Sequence, residues 1–364
     1  KQEQTANRLS NYRLLTSVAG FTIAVFLYLK VSQVLAFVMG VLTLGGFLYL
    51  AIHHRLVRRQ LRYSEIIIEL NEKGIQRLQG DWGNFPDLGE EFEDEKHPYA
   101  HDLDLFGQGS FFQWINSAHT PLGRISLSQI FKNPPQNPDS ILVRQEAISE
   151  LGESLGWRQR FEAESIKASH QFQKVESFLQ WAQEREEAYL KPVLKVAVTI
   201  LPLVTTIMIA LYFIGEAVPW YIPLLLIGVH ILLLQLYKKE RLIALATVYK
   251  HEASLQTYTN LLRQIEKKKF HSAELRRLQK SLRDRDGKPA YQQIAKLSKI
   301  VERISNRENA MFIFFNILFL WDYHCMIALE EWKNKSGDLL KNWLEVLGDF
   351  EELASLANIS FENP

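Results

Sequence analysis

At 364 residues the chain exceeds the usual single-domain size, so two or more structural units are expected. Its 42 basic and 41 acidic residues nearly cancel, so net charge identifies no partner and the electrostatic information lies in how the signs are segregated along the chain. The single cysteine, Cys325, excludes an intramolecular disulfide and fits a reducing compartment.

The chain opens at Lys1 rather than methionine, which suggests a missing or processed N-terminus. Four stretches then meet or approach the roughly 20 apolar residues that cross a bilayer. They are 14–29, 34–52, 193–214 and 218–237, without an acidic or basic residue in their apolar parts except Lys195 near one end. In lipid each must satisfy its own backbone, so each is expected to be helical, with Pro202 and Pro223 as kinks or near-terminal features. The first two runs follow one another too closely, and without a cleavage pattern, to be a signal peptide. Two buried hairpins of a soluble core are the weaker reading, because such helices are seldom this long and free of charge. Arg8 and Arg13 precede the first run, Arg55, Arg58, Arg59 and Arg62 follow the second, and Lys238, Lys239 and Arg241 follow the fourth. The short connections carry only Lys30 and Glu216. The positive-inside rule therefore predicts a multi-pass protein of the cytoplasmic (inner) membrane, with its soluble parts facing the cytoplasm. Tyr28, Tyr49, Trp220, Tyr221 and Tyr237 sit near run ends, where amphipathic rings prefer the interface. Mid-membrane ionisable groups, the mark of many transporters, are not expected in these runs.

Between the hairpins, 64–78 reads as helix and 80–101, with Glu90, Glu91, Glu93, Asp94 and Glu95, as an ordered loop or acidic connector. Ser110 is a candidate N-cap for a helix over 111–116, and Thr120-Pro121 is a cap followed by proline at the first helical position. The proline-rich run 133–138 breaks helix, and Asp139 or Ser140 is the expected cap of the next one. Residues 238–307 hold eighteen Lys and Arg against seven Asp and Glu, and a turn at 284–289 predicts an arm that goes out as one helix and returns as another. Its candidate phosphate-binding residues are Lys267, Lys268, Lys269, Arg276, Arg277, Lys280 and Arg283, suited to duplex DNA or to anionic lipid headgroups, with a merely solvated helix face as the bland alternative. The apolar run 311–321 is half a span long and is expected to be a core helix, with Phe312, Phe315, Phe319 and Tyr323 on its packed face. His97, His101, Asp102 and Asp104 could be drawn as a metal cluster, but converging ligands and supporting groups are not evident. Asp322, His324 and Cys325 crowd together as satisfied core polar groups would.

Several strings resemble the membrane-anchored relatives of the DNA mismatch-repair protein MutS. Gly74-Ile75-Gln76-Arg77-Leu78, Trp82, Gly83, Gly89, Phe92, His97-Pro98-Tyr99-Ala100 and Asp102-Leu103-Asp104-Leu105-Phe106-Gly107 look like the junction before the lever region. Gly109-Ser110-Phe111-Phe112, Ile115-Asn116, Thr120-Pro121-Leu122-Gly123-Arg124 and Arg144-Gln145-Glu146-Ala147-Ile148 resemble the lever itself, and Phe350-Glu351-Glu352-Leu353-Ala354-Ser355-Leu356-Ala357 resembles the helix leading into the ATPase. The sequence departs from the family in having no Gly-x-x-x-x-Gly-Lys-Ser/Thr loop, since Gly287-Lys288-Pro289 and Gly107-Gln108-Gly109 lack its spacing, and no Phe-x-Glu mismatch wedge.

The resemblance implies an all-α fold with this order: first transmembrane hairpin (1–62), junction with acidic loop (63–109), lever core, first part (110–190), second transmembrane hairpin (191–237), basic clamp-like arm (238–310), and returning lever helices leading to an absent ATPase domain (311–364). It implies a lever and clamp scaffold of a membrane-tethered MutS-like ATPase that is not itself an enzyme. Its expected partners are the bilayer, duplex DNA bound without sequence preference, and a second copy joined through the absent domain. No cofactor is expected in this chain, with ATP and Mg confined to that domain. The rival reading is a membrane scaffold or transporter-like subunit whose basic arm binds anionic lipid or a protein.

Overall fold

The computed structural model describes residues 2–167, 175–215, 218–305 and 311–362. It is 81% helix, with no strand among the described residues. The chain divides into two units, Lys1–Gln79 and Gly80–Pro364.

The first unit is a hairpin of α1 (Gln2–Lys30) and α2 (Gln33–Gln79). The N–H groups of Val31 and Ser32 both return to the carbonyl of Leu27 and close the reversal in two residues. Small residues line the seam: Gly20 leaves no room for a Cβ against Thr43, and a Cβ on Gly46 would lie 3.6 Å from Thr16. Such seams let helices approach closely where lipid removes the hydrophobic drive to associate. Thr16, Thr22 and Thr43 each donate to the carbonyl four residues back, which satisfies their hydroxyls without a partner helix. The expected boundary at residue 62 falls inside α2. No proline or glycine interrupts 47–73, so the apolar half runs on into the polar half as one helix of 47 residues, about 70 Å long.

The second unit begins with two 3₁₀ turns, Asp81–Asn84 and Glu90–Phe92. It continues through α3 (Phe111–Ile115), α4 (Pro121–Lys132), α5 (Pro138–Glu153), α6 (Leu155–Ile166) and α7 (Val175–Gln183). The apolar pair α8 (Pro192–Ile214) and α9 (Tyr221–Gln235) follows, then α10 (Lys238–Tyr249), α11 (Glu252–Lys267), α12 (Ala273–Ser281), α13 (Ala290–Ser305), α14 (Phe312–Phe319), α15 (Trp321–Trp332) and α16 (Asp338–Glu362). Thr120 and Ser110 cap their helices as their sequence positions predict, accepting from the Gly123 and Gln113 N–H groups. The α5 cap is Asn137 rather than Asp139 or Ser140, because Pro138 takes the first helical position and the cap must precede it.

Helices α2 and α8 are each long and apolar enough to cross a membrane, and the count rises to four if two bent pairs are each taken as one span. These pairs are α9 with α10, bent by 67°, and α14 with the helices after it, bent by 72°. Both bends turn on a non-glycine residue in the left-handed region, Tyr237 at φ 51° and Leu320 at φ 52°, which carries strain that the surroundings must hold. Glu216 and Arg307, and the side chains of Arg8 and Arg13, lie outside the described residues.

Two expectations change. Helices α11 to α13 do not stand out as an arm: Leu255, Leu261, Leu275, Leu278, Ile294 and Leu297 are buried in the same core as Trp343 and Phe350 of α16. The apolar run 311–321 is not a core helix either. Its α14 buries none of its residues, leaves Ile313, Phe314 and Phe315 exposed, and packs on α8 and α9. The left-handed turn at Leu320 ends it before Tyr323, so that residue belongs to α15 and not to one aromatic face with Phe312.

Candidate functional site

Strings that lie more than 200 residues apart converge where α16 crosses α4 and α5. Glu351 of α16 is buried against the start of α4, accepting from the backbone N–H groups of His119 and Thr120 at 3.2 Å, from Ser165 Oγ at 2.8 Å, and from the Thr120 hydroxyl. One carboxyl thus satisfies orphan donors at a helix N-terminus, where negative charge is also favoured by the helix dipole. Burial nonetheless dominates and pushes its pKa up. Next to it Glu352 pairs with Arg144 of α5, and burial pushes that carboxyl to about 7. One turn on, Ser355 Oγ accepts from Ser117 N at 3.0 Å, and Asn358 Oδ1 accepts from the buried Arg158. The crossing is close because two glycines make it. Gly123 faces Glu351, and a Cβ on Gly348 would lie 2.8 Å from the Leu122 carbonyl.

The junction strings brace the outer side of α4. Arg124 forks onto Asp87 at 2.6 and 3.0 Å and reaches Glu91 at 2.5 Å, while its guanidinium lies 5.5 Å from the Phe92 ring centre. His97 Nε2 meets the Lys132 carbonyl at 3.1 Å, so this histidine covers the C-terminal end of α4. Among the described residues no three His, Cys, Asp or Glu side chains converge to hold a metal ion.

The predicted phosphate-binding residues lie at the corner joining α11, α12 and α13, and they divide into two sets. Lys268 donates to Ser154 Oγ at 2.8 Å and lies over Trp157, and burial lowers its pKa. Arg277 is forked onto Glu274 at 2.6 and 2.8 Å, and Arg283 closes its turn on the Gly287 carbonyl at 3.0 Å. Lys267, Lys269, Arg276 and Lys280 are exposed and make no ion pair among the described residues.

The sequence reading missed His230, and it named Arg241 only as a flanking charge and Asp322 only as a core polar group, without their partners. His230 of α9 is fully buried, with Nδ1 3.0 Å from the Ile317 carbonyl of α14 and Nε2 3.2 Å from Thr205 Oγ1 of α8, so one ring ties three helices together. A carbonyl only accepts, which fixes a proton on Nδ1. Arg241, 2% exposed, donates to the carbonyls of Leu234 at 2.6 Å and Leu236 at 3.0 Å, satisfying the C-terminal end of α9 where it bends. Tyr323 OH donates to the Leu233 carbonyl at 2.7 Å. Asp322 lies 3.8 Å from Arg241 Nε, which sets the α14–α15 bend against the α9–α10 bend. The signal was present: a histidine inside an apolar run is an ionisable residue there even when Asp, Glu, Lys and Arg are absent.

Comparison with protein-family models, with curated proteins and with solved structures gives no match to this chain.

Proposed function

We propose that the chain is the lever scaffold of a membrane-tethered MutS-like ATPase, transmitting displacement of α16 to the helices around α8 and α9. The observation that carries the reading is Glu351, which fastens the helix resembling the entry to the ATPase onto the start of the helix resembling the lever, 231 positions away. From that joint the backbone runs through α16, one wide π turn at Lys333–Gly337, α15 and the bend at Leu320 into α14, which His230 holds against α8 and α9. A push on α16 therefore has a continuous helical path to the apolar pair. Four free cations at the α11–α12 corner supply the clamp function, neutralising phosphates of duplex DNA without reading bases. The corner is set apart from the bends: Ala290 and Ile304 lie at opposite ends of α13, about 20 Å apart, with Ile304 beside the bends and Ala290 capped by Glu266 at the corner.

Two measurements test the reading. The parental reading frame beyond Pro364 should encode a phosphate-binding loop, and its absence would overturn the motor assignment. With that loop present, spin labels on α16 and α14 in the parent protein should report different distances with and without ATP; unchanged distances would overturn the transmission.

A further inference from the structure

A cavity of about 760 Å³ opens where the two bends meet, within the roughly 300–1,000 Å³ typical of ligand sites. Ile231 and Leu234 of α9, Ile317 of α14 and Leu242 and Leu245 of α10 give it apolar walls. Leu232 of α9 and Phe314 of α14, next in sequence to the lining residues Ile231 and Ile313, are exposed and present hydrocarbon-compatible surface beside the opening. An acyl chain can therefore enter sideways from the bilayer without crossing water.

The polar lining gathers at the bends and favours an anion. Lys238 and Arg241 stand against one carboxylate, Asp322. Arg241 spends Nη1 and Nη2 on carbonyls, while its buried Nε has no hydrogen-bond acceptor among the described residues. Asn316 Oδ1 accepts from the Asp322 N–H at 2.9 Å, so the group it offers the cavity is its amide NH₂. Helix α10 starts here without a side-chain cap, so its first N–H groups and the positive end of its dipole are open. Lys238 and Lys239 begin that helix and are both exposed.

We propose that this cavity binds one anionic phospholipid of the surrounding bilayer, its acyl chain between α9, α10 and α14 and its phosphate at Lys238, Asn316 and the start of α10. The site depends on the membrane embedding of α9 and α14 and stands independently of the lever reading. An occupant there bridges both bends, so lipid composition bears on the same helices that α16 reaches.

The test uses the full chain in nanodiscs of phosphatidylcholine doped with a diazirine-acyl phosphatidylglycerol, with crosslinked peptides mapped by mass spectrometry. Labelling should concentrate on the cavity faces of α9, α10 and α14 and be competed by unlabelled phosphatidylglycerol, not by added phosphatidylcholine. Lys238→Gln should reduce it about fivefold, the factor corresponding to about 1 kcal/mol of attraction per basic residue at a headgroup. Ala246→Trp, which fills the cavity from its exposed rim, should remove it. Lys269→Gln, at the distant corner, should leave it unchanged. Equal labelling by a phosphatidylcholine probe, or parental labelling in Lys238→Gln, would overturn the proposal. Lys238 is exposed, so that variant keeps its fold and decides the matter even if Ala246→Trp does not fold.

Discussion

Replacing Glu351 tests the joint most directly. Alanine leaves the N–H groups of His119 and Thr120 and the hydroxyls of Thr120 and Ser165 buried without their acceptor. Each net hydrogen bond contributes about 1 kcal/mol, and each donor left unsatisfied in the interior costs about 1–3 kcal/mol. Allowing Thr120 to relax toward other acceptors, Glu351→Ala should cost about 4 kcal/mol and lower the melting temperature by about 8 °C, at about 2 °C per kcal/mol for a unit of this size. Glu351→Gln should cost about 1 kcal/mol, because burial pushes the carboxyl toward its neutral form and an amide has nearly the same shape. The pH trend has a definite sign. A carboxyl whose pKa is raised by folding contributes stability at low pH that is lost as pH rises, so the parent should lose ground against Glu351→Gln on going upward in pH. Tryptophan fluorescence melts in nanodiscs measure all three proteins, with Trp157 and Trp343 in the adjoining core. An alanine variant melting within about 2 °C of the parent would refute the joint as an energetic keystone. The opposite pH trend would show that the carboxyl is held as an anion by the α4 dipole.

Gly348→Ala should destabilise by about 2–3 kcal/mol in the same melts, since its Cβ meets the Leu122 backbone carbonyl, which no rotamer change can move away. Glu266 caps the start of α13 and burial pushes its pKa to about 7, so its contribution is present below about pH 4.5 and fades as pH rises through 7. Glu266→Gln should flatten that part of the stability profile by about 2 kcal/mol, a figure reduced for its partial exposure. Changing Lys267, Lys269, Arg276 and Lys280 together to glutamine should weaken duplex DNA binding equally for all sequences and flatten its salt dependence by about one unit for each phosphate no longer neutralised, whereas changing Arg277, already paired with Glu274, should do little. Fluorescence anisotropy at several salt concentrations separates these outcomes. In a Cys325→Ser background, a cysteine at Ser32 should react with an impermeant reagent from outside intact cells and one at Lys280 should not; the reverse pattern would overturn the expected orientation.

What could be read in the sequence was local. Ser110 and Thr120 are legible as caps because their acceptors serve N–H groups three residues on, and Pro138 could have pointed to Asn137 by the same logic. Long charge-free runs announce α2 and α8 as membrane-crossing lengths. The bends are illegible, because Tyr237 and Leu320 enter the left-handed region without glycine, and besides the nearby Arg241 and Asn316 they are fastened by a contact between distant strings, Tyr323 OH donating to the Leu233 carbonyl. The charge of the 238–307 segment is legible and its use is not. Lys268 spends its charge on Ser154 and Trp157, partners that only the folded corner brings into reach, whereas Arg277 and Arg283 spend theirs on Glu274 and Gly287, three and four residues away along the chain.

The polar groups packed among the apolar helices share one pattern. His230 and Arg241 donate to carbonyls, and Asn316 Oδ1 accepts from an N–H, of a helix that ends or bends inside apolar surroundings, and Asp322 joins the two bends through Arg241. Unsatisfied helix ends are costly in apolar surroundings, so a chain that breaks its helices there must supply such partners from neighbouring elements. These partners are also what a moving lever would have to exchange. His230 donates from Nδ1 to Ile317, and the single Thr205 proton can serve either Leu201 or His230 Nε2 but not both. A shift of α14 relative to α8 and α9 is therefore a shift between discrete hydrogen-bond arrangements rather than a graded slide, the condition under which a displacement at α16 can be passed on as a switch.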